Sequence, residues 1–149
     1  NNGIVKLKMI DVAEIKKDGD DAVLNTGSPH FVQFVKDVEH YKVYEQGNRI
    51  RNSATYREEG INVNFAEEIG ENEIFVRTYE RGVEDETFSC GTGVTASALV
   101  YLKDKNHSTV NVKVLGGTLK VYAEQTGDSF RNVWLEGPAK QVFKGKINI

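Results

Sequence analysis

The sequence has little cysteine and little histidine. Cys90 is the only cysteine among 149 residues, and the histidines are scattered at His30, His40 and His107. One cysteine excludes an intrachain disulfide and any metal site built from several cysteines, and it is consistent with a reducing compartment. With so few candidate ligands, we expect no zinc site and no other bound metal.

The sequence also lacks a basic stripe, a long apolar run and a signal-peptide pattern. Its net charge is -3, which argues against binding to nucleic acid. Because no apolar run approaches the length of a membrane span, we expect no membrane partner and a cytoplasmic location. The length and the hydrophobic fraction of 39% are typical of one soluble globular domain. The chain begins at Asn1 without an initiator methionine, so we expect it to be part of a longer protein.

Hydrophobic patterning predicts eight or nine strands and two helices, one of them doubtful. The predicted strands cover residues 4–10, 22–24, 31–35, 61–66, 73–81, 109–115, 118–124, 130–135 and 141–149. The first strand alternates apolar and lysine residues and should be half-buried. The clear helix covers 94–102, whereas the doubtful one covers 38–46 and should end at Gly47, before a loop over 48–59. Gly116-Gly117 predicts a tight hairpin.

The segment from Glu80 to Ala96 carries the strongest chemical signal. Cys90 stands directly before Gly91-Thr92-Gly93 and the clear helix. A helix N-terminus presents free N–H groups that bind anions and stabilise a thiolate. Such a site can hold a substrate carboxylate and present a thiolate to the adjacent carbon. The alternative is a small buried cysteine beside a turn, but the upstream Glu80-Arg81-Gly82 favours chemistry.

Other functions of this segment fit less well. Gly91 to Ala96 matches the loose dinucleotide-binding pattern, but no carboxylate follows at the required distance, and a phosphate-binding P-loop would need a Gly-Lys-Ser/Thr ending. A cysteine hydrolase needs a histidine to activate its thiol, and His30 lacks such a context. A thiol that acts as a base fits better, because the helix end stabilises a carbanion beside a bound carboxylate.

Three polar residues outside this segment are further candidates. His30 ends the loop Gly27-Ser28-Pro29-His30, and it is either an acid, base or substrate contact or a surface histidine in a turn. Asn62 and Asn64 alternate with apolar residues and therefore share one strand face. That face is either a hydrogen-bonding wall of a site or an exposed edge, since asparagine is disfavoured in strands.

Several motifs, in order, resemble the diaminopimelate epimerase family of cofactor-free amino-acid epimerases. They are Gly27-Ser28-Pro29-His30, Ile61-Asn62-Val63-Asn64-Phe65, Glu80-Arg81-Gly82, Glu86-Thr87 with Ser89-Cys90-Gly91-Thr92-Gly93, and Gly137-Pro138-Ala139. The resemblance implies an α+β fold, with a curved, mostly antiparallel sheet wrapped around one central helix. It implies that residues 1–138 are the C-terminal catalytic half-domain. Residues 139–149 would be a closing strand that packs on an N-terminal half absent from this chain.

The resemblance also implies a function, inversion of the α-carbon of diaminopimelate in lysine and peptidoglycan precursor biosynthesis. One cysteine from each half would act on opposite faces of that carbon, without pyridoxal phosphate, metal or any other cofactor. Cys90 would be the thiol of this half, Glu80 would assist it, and His30 would lie near the other cysteine. The substrate-binding residues would be Ser28, Asn62, Glu80, Arg81, Gly91 and Thr92. The chain alone would be inactive, and a homodimer is possible.

The chain departs from the family at two points, and two other functions remain open. Ser28 replaces a usual asparagine, and the loop over 83–85 is one residue longer than usual. A proline-racemase-type or related isomerase also carries Cys-Gly-Thr-Gly, although proline offers no distal amino-acid end for Glu80 and Arg81 to bind. A single-thiol binding or redox module would likewise use one activated cysteine.

Overall fold

The computed structural model describes residues 3–148, which contain ten strands and two α-helices. The strands are β1 (Ile4–Lys8), β2 (Lys16–Asp18), β3 (Asp21–Asn25), β4 (Pro29–Phe34), β5 (Asn62–Gly70), β6 (Glu73–Glu80), β7 (Asp85–Thr87), β8 (Thr109–Val114), β9 (Gly117–Thr126) and β10 (Ser129–Pro138). The helices are α1 (Val43–Arg51) and α2 (Gly91–Leu102), and a 3₁₀-helix covers Val38–His40. Neither α-helix within residues 3–148 is long and apolar enough to cross a membrane.

All ten strands belong to one sheet. Their order is β1-β10-β9-β8-β6-β5-β4-β3-β2, and β7 pairs with β6 beside this path. The pairs β4–β5 and β6–β8 are parallel, whereas the other pairs are antiparallel. The parallel pairs require long crossovers, and these contain α1 and α2 respectively. The expected α+β fold with a mostly antiparallel sheet is confirmed.

Helix α2 forms the centre of the fold because it is apolar on every side. Nine of its twelve residues are buried, including two polar ones, Thr95 and Ser97. A helix of this kind must be enclosed by other elements. Strands β3, β4, β5, β6, β8, β9 and β10 all contact α2. The sheet therefore curves around α2, as the family resemblance implies.

The central strands β5 and β6 are buried on both faces. Phe65 and Phe75 belong to an apolar cluster on the α1 side, whereas Ala66 and Val76 belong to the cluster around α2. Successive side chains of a strand point to opposite faces. Even-numbered residues of both strands therefore point towards α2, and odd-numbered residues point towards α1.

The structure corrects three predictions from the sequence. Both faces of β1 are exposed, rather than one being buried, because β1 lies at the edge of the sheet and neither helix of the described chain contacts it. Residues 139–148 form no strand, and their side chains are exposed, whereas Ile149, the last residue of the predicted strand, lies outside the described residues. Gly47 does not end a helix, because α1 begins only at Val43 and continues through Gly47 to Arg51.

Gly47 lies inside α1 because the helix approaches β6 closely there. A Cβ atom on Gly47 would lie 2.3 Å from the Cβ of Tyr79 and 2.6 Å from its Cγ. Alanine normally stabilises a helix interior by roughly 1 kcal/mol relative to glycine. We expect the opposite sign for Gly47→Ala, a loss of about 1–3 kcal/mol in the free energy of unfolding, because overpacking forces α1 away from Tyr79.

Urea unfolding followed by circular dichroism tests this expectation, with Gln46→Ala in the same helix as the control. Gln46 is partly exposed, and substitutions at such positions usually have small effects. The control should therefore change the free energy of unfolding by no more than about 0.5 kcal/mol. A stabilised Gly47→Ala variant would show that the close contact between α1 and β6 does not limit packing.

Candidate active site

Cys90 lies at the N-terminus of the central helix. It is the N-cap residue of α2, with extended backbone angles (φ -119°, ψ 108°), and its carbonyl accepts the N–H of Val94. Within residues 3–148, the N–H groups of Gly91, Thr92 and Gly93 have no acceptor in the protein. Cys90 is 8% exposed and belongs to neither apolar cluster. A thiol and three free amides therefore share one helix end.

The strands beside α2 supply a polar wall next to this helix end. His30 pairs in register with Asn62, and Asn64 pairs with Thr78. Alternation along the strands places Asn62, Asn64 and Glu80 on the face that carries α2. Both asparagines are buried on a central strand. Of the two interpretations of their shared face, the hydrogen-bonding wall is the one that forms.

His30 is fully buried on β4, which excludes the surface histidine in a turn. Its Nδ1 lies 3.1 Å from the side-chain nitrogen of Asn64, and its Nε2 lies 2.9 Å from the hydroxyl of Thr92 and 3.0 Å from that of Ser28. Burial, with a smaller contribution from the charge of Arg81, lowers the pKa of His30 to about 4. The ring is therefore neutral at pH 7 and bonded at both nitrogens.

Thr92 connects this histidine to the thiol. Its hydroxyl oxygen lies 3.5 Å from the sulfur of Cys90 and 3.3 Å from the hydroxyl of Ser28. Its carbonyl accepts the hydroxyl of Thr26 at 2.8 Å, which ties the first turn of α2 to the loop before β4. Sequence reasoning included Thr92 only for its backbone amide and missed this contact of its side chain.

The close approach of α2 to the wall depends on Gly93. A Cβ atom there would lie 2.3 Å from Oδ1 of Asn64 and 3.3 Å from Cε1 of His30. The sequence predicted a role for the glycines at the helix end, but it gave Asn64 only a place on a possible hydrogen-bonding wall and no specific partner. The signal for Asn64 was its place in the Ile61-to-Phe65 motif, and its partner across the sheet is not visible in the sequence.

Glu80 and Arg81 lie where β6 ends, and they have separate partners. A carboxylate oxygen of Glu80 accepts the hydroxyl of Thr87 at 2.9 Å, three residues before Cys90. The backbone N–H of Arg81 donates to Oδ1 of Asn62 at 2.9 Å, and its guanidinium donates to the carbonyl of Glu59 at 3.0 Å. The chain turns away at once, since Gly82 has a φ of +91°.

Comparison with known proteins assigns the chain to a family. The family described as "Diaminopimelate epimerase" matches residues 22–142, which include every residue of the wall and of the helix end. The chain belongs to the diaminopimelate epimerase family. The resemblance expected from the sequence motifs is thereby confirmed.

Relatives from within the diaminopimelate epimerase family support this assignment over nearly the whole chain. The diaminopimelate epimerase of Flavobacterium psychrophilum is 41% identical over 148 residues, which cover 98% of this chain and 58% of that protein. The diaminopimelate epimerase of Aquifex aeolicus is 42% identical over 136 residues, covering 88% of this chain and 48% of that protein. The chain spans about half the length of the curated relatives it matches.

Solved structures of more distant proteins share the fold of this family member. A probable proline racemase from Agrobacterium radiobacter K84 superposes with a TM-score of 0.68 at 15% identity, over 91% of this chain and 51% of that protein. A hydroxyproline epimerase from Agrobacterium vitis gives a TM-score of 0.65 at 14% identity, over 91% of this chain and 50% of that protein. At such identities the likeness shows a common fold, again over half of the larger chain.

Proposed function

We propose that this chain is one half of a diaminopimelate epimerase, in which Cys90 exchanges a proton with the α-carbon of the substrate. The observation that carries this proposal is the helix end, where a thiol adjoins three amides that have no acceptor among the described residues. Oriented amides that face a developing negative charge lower the barrier to forming it. Membership of the diaminopimelate epimerase family supports the choice of substrate.

The proposed reaction is a proton transfer in two steps. The substrate carboxylate binds the amides of Gly91 and Thr92, which stabilise the negative charge that spreads into it from the α-carbon. The Cys90 thiolate takes the α-proton from one face and becomes a thiol. A thiol from the missing N-terminal half then donates a proton to the opposite face and becomes a thiolate. The stereocentre is inverted, and the reverse reaction exchanges the two roles.

The remaining residues of the wall receive roles in the same proposal. Glu80, on the α2 face of β6, assists the thiol of Cys90. Asn62 and Arg81, already joined by a hydrogen bond, bind the distal end of the substrate together with Glu80 and Ser28. His30 belongs to the catalytic set on the side of the second cysteine, as a neutral ring. Residues 139–149 pack on the N-terminal half when that half is present.

The proposal predicts that the chain alone does not epimerise diaminopimelate. Inversion needs a base on one face of the α-carbon and an acid on the other, and the sequence has no second cysteine. Without an opposing half, water also weakens the electrostatics of the site. The test is to add an N-terminal half from a relative and to follow deuterium incorporation from D₂O, with inversion, by NMR or mass spectrometry. The rate should then be at least about 10² times that of the chain alone.

Three results would count against this assignment. Robust epimerisation by the chain alone would contradict the two-base mechanism. Exchange restored with proline rather than diaminopimelate would support the racemase alternative instead. A mixed complex that binds diaminopimelate but exchanges nothing would leave the thiol without a catalytic role. An N-terminal half that has its own cysteine replaced by alanine is the matched control, and it should not restore activity.

A further inference from the structure

The hydroxyl of Thr92 has three polar neighbours in the described structure. His30 Nε2 lies at 2.9 Å, Ser28 Oγ at 3.3 Å and Cys90 Sγ at 3.5 Å from its oxygen. A hydroxyl group has one hydrogen to donate and two lone pairs that accept. Which neighbour receives the hydrogen therefore depends on the direction of the other two bonds.

Asn64 sets the direction of the bond from His30. Its side-chain nitrogen lies 2.9 Å from the carbonyl of Phe31, which can only accept, and its oxygen lies 2.9 Å from the hydroxyl of Thr78. The amide group can therefore take only one orientation, and its second N–H points at Nδ1 of His30, 3.1 Å away. Nδ1 must accept this bond, so the proton of the neutral ring is on Nε2. His30 is then a donor at Nε2, and its nearest acceptor is the hydroxyl of Thr92 at 2.9 Å.

Asn62 sets the direction of the bond from Ser28 in the same way. Its nitrogen donates to the carbonyl of Pro29 at 3.0 Å, and its oxygen accepts the N–H of Arg81 at 2.9 Å. Its remaining N–H therefore donates to the hydroxyl of Ser28 at 3.2 Å. With Nε2 of His30 also acting as a donor, the acceptor left for the hydrogen of Ser28 is the oxygen of Thr92.

We propose that Asn64 is a positioning residue, which orients His30 so that the hydroxyl of Thr92 donates its hydrogen to the sulfur of Cys90. Both lone pairs of the Thr92 oxygen face donors, so a protonated Cys90 cannot donate to it, whereas a thiolate can accept from it. The network therefore favours the thiolate that the proposed function requires, and the inference deepens that function.

Arg81 and Glu80 are the charged residues that the described contacts connect to this network. The backbone N–H of Arg81 bonds Asn62 and its charge acts on His30, while Glu80 accepts the hydroxyl of Thr87. Strands β9 and β10 approach α2 with apolar side chains, including Leu119 and Leu135. His30 has a pKa of about 4. Between pH 6 and 9, a titration of thiol reactivity therefore reports on the thiol rather than on the imidazole.

The tautomer of His30 is the first test, and it needs no enzymatic activity. Long-range ¹⁵N–¹H NMR spectra of the chain distinguish the two nitrogens of each ring. The bond to Asp37 raises the pKa of the exposed His40, whereas the buried His30, with a pKa of about 4, should keep its proton on Nε2 above pH 6. In Asn64→Asp, which removes the donor to Nδ1, we expect Nδ1 to carry a proton. A proton on Nδ1 of the unaltered chain, or an unprotonated Nδ1 in Asn64→Asp, would overturn the role of Asn64.

The rate of iodoacetamide alkylation of Cys90 is the second test. Loss of the hydroxyl in Thr92→Val should lower the rate at pH 7.5 about three- to tenfold and move the pH profile upward, since a hydrogen bond to a charged group is lost. Thr92→Ser should restore the rate. The control is Thr95→Val, whose hydroxyl bonds only to the carbonyl of Gly91, and it should react like the unaltered chain. An unchanged rate in Thr92→Val would contradict the proposal.

These measurements separate this inference from the proposed function. Reactivity that follows Thr92 without any restored exchange of diaminopimelate would leave the network intact and contradict only the epimerase assignment. Restored exchange of diaminopimelate, together with a proton on Nδ1 of His30, would support the epimerase assignment and contradict only the network.

Discussion

Replacement of Cys90 by serine is expected to abolish most of the proton exchange by the chain reassembled with its N-terminal half. The fall in kcat should be about 10²–10⁴-fold, the usual contribution of a positioned acid or base. Serine keeps the size of the side chain and the free amides of α2, but its hydroxyl stays protonated at neutral pH. KM should therefore change little, because the interactions that bind the carboxylate remain.

The neighbouring exposed serine is the matched control for this variant. Ser89→Ala changes the residue directly before the N-cap and should leave kcat within about twofold, since exposed substitutions rarely disturb a structure. Deuterium incorporation into the two epimers of diaminopimelate that the reaction interconverts measures the effect. Exchange by Cys90→Ser at more than one tenth of the unaltered rate would show that another group takes the proton on this face.

Replacement of Arg77 by methionine is expected to lower the free energy of unfolding by about 3 kcal/mol or more. Removal of one partner of a buried ion pair has this cost because the other charge stays buried without a partner. Arg77 is largely buried and bonds both carboxylate oxygens of Glu86, at 2.6 and 2.7 Å. Its third nitrogen donates to the carbonyls of Val38, Glu39 and Tyr41 at 2.9–3.0 Å. The side chain of Arg77 thus joins β6 to β7, which carries Glu86, and to the segment before α1.

Urea unfolding measures this loss, and an exposed ion pair is the control. Lys16 lies 3.3 Å from Glu14 with both side chains mostly exposed, so Lys16→Met should cost no more than about 1 kcal/mol. The double variant Arg77→Met with Glu86→Leu should recover part of the loss, because it no longer leaves a buried carboxylate without a partner. Equal losses for Arg77→Met and Lys16→Met would show that burial adds nothing to the Arg77 pair.

Local patterns were enough to predict most of the regular structure. Alternation predicted β5 and β6 within a few residues, and Gly116-Gly117 predicted the hairpin between β8 and β9. The helical run after Cys90 predicted α2 and placed the thiol at its N-terminus. These features depend on interactions between residues that are near each other in the chain, so a short window of sequence contains the information.

Long-range packing decided the features that the sequence left open or predicted wrongly. Gly47 resembles a helix end in sequence, but the contact with Tyr79 places it inside α1. β1 has the alternation of a half-buried strand, yet it is exposed because no helix covers the edge of the sheet. The position of Gly47 depends on a residue more than thirty positions away in the chain, and the exposure of β1 depends on the lack of a covering layer among the described residues.

The sequence by itself determined the family, the central helix and the position of Cys90, because motifs and periodicity are local. Only the tertiary structure decided that His30 is buried and neutral and that Asn64 orients it towards Thr92. The strand pattern alone places Asn62 and Asn64 on one face but does not say what covers it. The parallel pairing of β4 with β5 brings His30 beside both asparagines, and α2 then closes over them at Gly93.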